Sequence, residues 1–370
     1  MGALPARGAA VLLALALVPA AQARELATPR PFEAFFGAVR ASAPPGTTSA
    51  ELYVGDSRVS SRRLGGAEAR FVVPRAPGRY DLRIRFERGG RLLRRDESQR
   101  VWLLPRSSRV ARRERGRNRG LERRLADLGR AYRGYAAFWV HDLRTGRVAG
   151  WNSDTSFPAA SIVKLGVLVA ALQRWEPGSA AWRDIVDTAI WSSNEGSNQL
   201  LVRLGGSEAG GTRIVNQTLR RLGATASNFT GNYRLGTASL GDSPRPLPVL
   251  TYRRTTAHDV GRILFELHAS ALGNRLAQRR TGLGRHEARI ALGLLLSSDP
   301  RGDNTGLFRH ATGVPLAQKH GWTTKLRHSA AIVYTPTGPK IAVLLTFRPD
   351  EISPSASRVL GGHLIGLLGL

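Results

Sequence analysis

The sequence has no cysteine and one methionine in 370 residues. The missing cysteine excludes disulfide staples, thiolate nucleophiles, thiolate zinc sites and iron–sulfur ligation, so any covalent nucleophile must be an oxygen or an amine. Acids are scarce too: 27 Asp and Glu stand against 55 Lys and Arg, a formal charge of +28. Lysine is scarcer still, because only Lys164, Lys319, Lys325 and Lys340 are Lys and every other such cation is Arg. This bias singles out the lysine positions, since a buried Lys can lose its proton and act as a base while Arg stays charged. There is no Gly-x-Ser-x-Gly elbow, no His-Glu-x-x-His and no phosphate loop. The eight His are scattered and, His320 apart, read as core or surface residues, so neither a metal site nor a cofactor is expected. With 42% hydrophobic and 22% charged residues the chain can still bury a sizeable core.

Residues 1–23 read as a secretory signal, with Arg7, an apolar run from Ala9 to Val18 and a small-residue cleavage site at Ala21-Gln22-Ala23. A membrane anchor is the rival reading, but the run is short for a bilayer. The expectation is a chain secreted or held in the cell envelope, beginning near Arg24.

Residues 24–105 read as a small immunoglobulin-like β-sandwich. Leu82, Ile84 and Phe86 alternate with Arg83, Arg85 and Glu87, Gly89-Gly90 makes a turn, and Glu51–Val54, Ala69–Val73 and Val101–Leu104 supply further strands. Its arginine-bearing faces are either solvated or a surface for an anionic polymer. Residues 106–120 form an arginine-rich linker with the same two readings, the polyanions outside a cell being cell-wall polymers and anionic lipid; nucleic acid is not expected there. Residues 121–370 begin with a helix to about Tyr132 and a hairpin (Tyr135–Asp142, Arg147–Trp151). A helix-rich middle follows, then strands at Ala317–Trp322, Ser329–Thr335 and Lys340–Phe347, and a closing helix from about Ser355 to Leu368. Strands at both ends with helices inserted between them predict an α+β fold, an antiparallel sheet with flanking helices.

Three short elements carry chemistry. Phe157-Pro158-Ala159-Ala160-Ser161-Ile162-Val163-Lys164 opens an apolar helix, and Ser-x-x-Lys occurs only here. A serine at a helix N-terminus with a lysine one turn on can be a nucleophile with its base, or an N-cap beside a snorkelling lysine. Ser192 and Asn194 form the chain's only Ser-x-Asn; the hydroxyl can pass a proton to a leaving nitrogen and the amide can grip a carbonyl. Lys319-His320-Gly321 on a strand offers a positive charge, an imidazole and a residue small enough for close approach, and the N–H of Trp322 could join that of Ser161 in an oxyanion hole.

Those elements, in this order, resemble the penicillin-recognising active-site serine enzymes, and their surroundings look most like class A β-lactamases. The resemblance runs from about Leu121 to Leu370 and includes Asn198, four residues after Asn194, and Thr255-Thr256 ahead of a helix. It implies Ser161 as acylated nucleophile, Lys164 as base, Ser192 as proton relay, Asn194 as substrate ligand and Lys319 as the charge facing a substrate carboxylate. It implies a monomer acting on a β-lactam or a cell-wall peptide; a D-alanyl peptidase, an esterase or a non-turnover penicillin-binding protein share the same features.

The departures bear on the reaction. Ser193 stands where the family usually has Asp, and His320 where it has Thr or Ser; a protonated His320 would tighten carboxylate binding at mildly acid pH. Only 31 residues separate Ser161 from Ser192, about half the family's spacing, and between Gly223 and Thr255 the only acid is Asp242 rather than the Glu that activates the deacylating water. Acylation machinery is expected, with slow release.

Overall fold

The computed structural model describes residues 29–73, 75–233, 253–298, 306–308, 311, 313–350 and 352–370; the expected signal segment and Asp242 lie outside them. Seven strands come first: β1 (Ala34–Phe36), β2 (Val39–Ser42), β3 (Ser49–Val54), β4 (Ser57–Arg63), β5 (Glu68–Phe71), β6 (Gly78–Arg88) and β7 (Arg91–Leu104). They make one sheet in the order β1-β7-β6-β3-β4 and a β2-β5 ribbon, with β1 parallel to β7. Period-two alternation sends Leu52, Phe71, Leu82, Ile84 and Phe86 into a common core between the sheets. This is the sandwich expected from the sequence. The short strands β1, β2 and β4 were not legible: β1 and β2 are only three and four residues long, and β4 is exposed or half-buried throughout. Outward arginines pair locally, Arg94 with Asp96 (2.8 Å) and Arg58 with Glu51 (2.6 Å).

The arginine-rich stretch is not a free linker. After a 3₁₀ turn at Arg106–Ser108 it bonds along the next sheet, Arg112 N–H to Leu143 C=O (2.8 Å) and Arg115 N–H to Gly146 C=O (2.8 Å), and adds β8 (Gly116–Arg117) parallel to β10 (Arg147–Trp151). Asn118 then caps α1 (Arg119–Ala131) by accepting from Leu121 N–H.

The second sheet runs β13 (Leu316–Thr323), β14 (Leu326–Thr335), β15 (Gly338–Phe347), β9 (Tyr135–Asp142), β10 (Arg147–Trp151), β8. It is antiparallel except at its β8 edge, which the sequence reading lacked. On one face α1 and α9 (Pro354–Leu367) pack over Phe138, Val140, Ala331 and Leu344. The other face carries the inserted helices: α2 (Lys164–Leu172), α3 (Trp182–Ile190), α4 (Asn194–Gly205), α5 (Glu208–Arg221), α6 (Ala257–Ala271), α7 (Arg275–Thr281) and α8 (Arg285–Leu296). Every residue of α2 is buried, which accounts for its unbroken apolar run. A short pair, β11 (Phe157–Pro158) with β12 (Arg254–Thr255), leads into it. Phe32, Ala34, Phe36 and Leu104 of the sandwich belong to this second core, so the two parts share apolar packing.

Candidate active site

The turn before α2 is held from several sides. Ala159 N–H bonds Arg253 C=O (2.7 Å), and buried His328 reaches Pro158 C=O through Nε2 (2.7 Å). Because Thr346 N–H points at His328 Nδ1 (3.2 Å), Nε2 carries the proton, and burial keeps the ring neutral, its pKa down at about 4. Ser161 sits in this turn and α2 begins only at Lys164, three residues later than expected. Ala160 is in the left-handed region (φ 44°), a conformation costing about 1–3 kcal/mol for a non-glycine residue.

Lys164 is 1% exposed, and its Nζ bonds Ser192 C=O (2.6 Å), Ser193 C=O (3.1 Å) and Asn194 Oδ1 (2.8 Å). The expected partner was the Ser161 hydroxyl; the bonds instead tie α2 to the start of α4. Burial, with Lys319 and Arg253 close by, pushes the Lys164 ammonium down to about 6. Losing a proton frees a lone pair at the amine, as a base beside Ser161 requires.

Ser192 is the second strained residue here, at φ 58°. Its carbonyl accepts from Lys164 and its hydroxyl oxygen from Lys319 Nζ (2.6 Å), leaving the hydroxyl proton to donate elsewhere. Ser193 caps α4, accepting from Gly196 N–H (3.0 Å), so a serine does the capping an aspartate would also do. Asn194 is exposed and holds Lys164. Lys319 is 2% exposed, also bonds His320 C=O (3.0 Å), and is pushed by burial down to about 7. Its charge reaches the cleft through Ser192.

Strand β13 forms the sheet edge beside this turn. Tyr334 N–H bonds Pro315 C=O (3.0 Å) and the register with β14 is constant to Thr323, so the antiparallel alternation turns the backbones of Gln318, His320 and Trp322 away from β14. The N–H of Trp322 therefore points away from β14. A Cβ on Gly321 would lie 2.9 Å from Ser161 N and 2.8 Å from Ile162 N, so the glycine lets the strand press against the turn itself. The Ser161 backbone therefore lies against β13 at the residue next to Trp322.

His320 does not act as expected. It is 5% exposed, neither ring nitrogen has a partner among the described residues, and burial with Lys319, Lys164 and Arg327 nearby drives its pKa to about 3. It is neutral at any mildly acid pH, and the acid-enhanced binding drawn from its reference value falls away.

Two residues escaped the sequence reading. Tyr233 exchanges backbone bonds with the Asn198 side chain (both 2.7 Å), sends its hydroxyl to Ala160 C=O (3.2 Å) and lays its ring 4.2 Å from Lys164 Nζ. Burial raises its pKa well above the ordinary value, so it is no base at neutral pH. Arg253 stacks on that ring at 3.9 Å and bonds Gly231 C=O (2.9 Å). Nothing in their spacing links either residue to Ser161; only the fold does.

The model of the Beta-lactamase enzyme family matches residues 120–187 and 177–362. The chain belongs to this family. Among solved structures it is similar to PBP-A (18% identity, 70% of this chain and all of that one, TM-score 0.52), also seen, as a point mutant, in an acyl-enzyme complex with penicillin G. It is similar to a class A β-lactamase from Mycobacterium abscessus (18%, 67% and 99%, 0.52) and a β-lactamase from Chitinophaga pinensis DSM 2588 (14%, 67% and 98%, 0.53). At these identities the likeness establishes the fold. No curated protein matches the chain.

Proposed function

We propose that this family member is an exported serine hydrolase that forms an acyl-enzyme on Ser161, its acyl donor a β-lactam or a related amide bearing a carboxylate. In the step so proposed, Ser161 Oγ attacks the carbonyl carbon as its proton passes to the Lys164 amine. The oxyanion forms against the Ser161 and Trp322 N–H groups; the C–N bond then breaks, and Ser192 hands its proton to the leaving nitrogen and takes one back from the Lys164 ammonium, which returns to the free amine. Lys319, bonded to Ser192, holds positive charge toward the substrate carboxylate, and Asn194 lies where its amide can take a carbonyl. The observation that carries the reading is the Lys164–Ser192–Lys319 chain of 2.6 Å contacts beside the Ser161 turn.

A second reading, a penicillin-binding protein that keeps its acyl group, is favoured by Tyr233. The charged groups felt by Lys164 are the cations Lys319 and Arg253, and the side chain facing it from the stretch in which the resemblance expects a Glu is a phenol. Intact-mass spectrometry of the purified protein with a penicillin and with a chromogenic cephalosporin, followed over time, tests both. A persistent adduct on the peptide containing Ser161 supports the second, an adduct that turns over supports the first, and no adduct on Ser161 with either compound overturns acyl-enzyme chemistry.

A further inference from the structure

Between β9, α6 and the docked arginine-rich stretch lies a cavity of about 230 Å³ that shares no residue with the Ser161 site. Trp139 and Phe265 give it aromatic walls. Gly261 lets the Trp139 indole lie against α6, because a Cβ there would come within 2.2 Å of its Cδ1. His141 stacks on Phe265, 5.4 Å between ring centres.

The charges around the cavity answer one another. Glu266, fully buried, takes Arg113 (3.2 Å) and Arg280 (2.6 Å) on Oε1. His258 stands between Asp154 (3.1 Å, at Nδ1) and Glu114 (3.5 Å, at Nε2), and Glu114 feels the charge of Arg262 as well as that of His258. A charged ligand would upset this balance.

Hydrogen bonding is not balanced in the same way. Among the described residues Glu266 Oε2, His141 Nε2 and Arg113 Nη2 are buried without a hydrogen-bond partner, and His258 Nε2 has only its longer contact with Glu114. A buried polar atom left unpaired costs free energy that a bound group can recover. The Arg112 backbone hydrogen-bonds the 2% exposed His141 ring and, Nε2 having no partner, does so at Nδ1. Burial lowers the pKa of this ring, so it is neutral, with its proton on Nδ1 and a bare lone pair on Nε2. The unmet set is therefore two acceptors and one donor, from side chains that all line one cavity. No group of three His, Asp or Glu able to hold a metal ion occurs among the described residues, so the set is matched to an organic group.

We propose that this cavity binds a primary carboxamide carried on a flat ring. One carboxamide has two N–H donors, for Glu266 Oε2 and His141 Nε2, and one carbonyl, for Arg113 Nη2; a carboxylate has no donor and a hydroxyl only one. It adds no charge, and a ring attached to it can pack on Trp139 and Phe265. The cavity exceeds the ~30 Å³ share of one water several-fold, which leaves room for such a ring.

The test is calorimetric titration of the purified full chain with benzamide, N,N-dimethylbenzamide and benzoate. Saturable one-to-one binding of benzamide is expected, with at least tenfold weaker binding of the dimethyl amide, which has no N–H, and of benzoate, which has no donor and adds a charge. His141→Phe keeps a ring on Phe265 but removes the acceptor, and should weaken benzamide at least tenfold. Arg113→Met removes the donor at a partly exposed side chain, leaves Arg280 on Glu266, and should weaken benzamide at least threefold. Circular-dichroism melting checks that each variant folds, and Arg113→Met carries the test if His141→Phe does not. Arg183→Gln, on the exposed side of α3, should change binding less than twofold. No saturable binding of benzamide, as a cavity that takes only water would give, equal binding of benzamide and its dimethyl derivative, or unchanged affinity in a folded Arg113→Met would each overturn the proposal.

Discussion

Lys319 Nζ lies 2.6 Å from Ser192 Oγ, and the carbonyl of that same serine lies 2.6 Å from Lys164 Nζ, so one strained residue joins two buried lysines. Two ammonium ions so placed repel one another through a medium poor in water. Burial holds Lys319 down at about 7, and burial first, with the charges of Lys319 and Arg253 added, holds Lys164 down at about 6.

A bell-shaped acylation profile follows. Lys164 must lose its proton to serve as base, so acylation should rise with pH through about 6; Lys319 must keep its proton to hold a carboxylate, so it should fall above about 7. Stopped-flow acylation with a penicillin between pH 5 and 9 measures both limbs. An acyl donor without a carboxylate should keep the rising limb and lose the falling one.

Replacing the base separates charge from proton transfer. Lys164→Arg retains a cation that cannot accept the serine proton, so adduct formation should slow by about 10²–10⁴-fold, the usual worth of general base catalysis. Circular dichroism should show the fold retained. An unchanged acylation rate would remove Lys164 from the chemistry.

Much of this was legible in the sequence, for identifiable reasons. The strands Tyr135–Asp142 and Arg147–Trp151 end where their turn residues say, and the Ser161, Ser192 and Lys319 elements meet, because each sits on a local signal of helix entry or strand period. What was hidden depends on contacts far apart in the chain. Tyr233 reaches the site through Asn198, 35 residues earlier, and the arginine-rich stretch docks by backbone bonds that composition does not reveal. The behaviour of His320 was misread because a reference pKa says nothing of burial among three cations.

Buried histidines should make the protein acid-sensitive. His268 and His328 are held at about 4 and His320 at about 3, all by burial first. Each folded value lies below the unfolded one, so the unfolded chain takes up protons first as pH falls below about 6.5. Each then removes up to about 1.4 kcal/mol of stability per pH unit until its folded pKa is reached. Urea unfolding at pH 7, 6 and 5 should show the progressive loss, and His320→Ala should reduce its slope.

The sandwich should unfold together with the rest of the chain. A Cβ on Gly293 would sit 1.5 Å from Phe32 C=O, and Trp102 Nε1–H bonds Ser297 Oγ (3.0 Å), so α8 and the first strands are packed backbone to backbone. Scanning calorimetry should give a single transition. Gly293→Ala forces the seam apart and should cost about 1–3 kcal/mol, as overpacking does, lowering the midpoint of that one transition. Two separate transitions, with only one moved, would show an independent sandwich.

If the proposed acyl-enzyme forms, its release should turn on Tyr233. A water attacking the ester on Ser161 needs a base, and the ring 4.2 Å from Lys164 Nζ provides none. Nitrocefin hydrolysis should therefore show a burst close to one equivalent of enzyme and then slow turnover. Tyr233→Glu puts a carboxylate on the same loop, still held through its backbone by Asn198. Two effects are expected from it, with opposite consequences. The carboxylate can activate the water, raising the slow phase by up to about 10⁴-fold, while its charge stabilises the Lys164 ammonium and moves the rising limb of acylation to higher pH. Burst and steady-state rates measured together across pH separate the two. A faster slow phase with a shifted limb places the missing base at Tyr233, whereas a shifted limb alone would mean that deacylation is limited elsewhere.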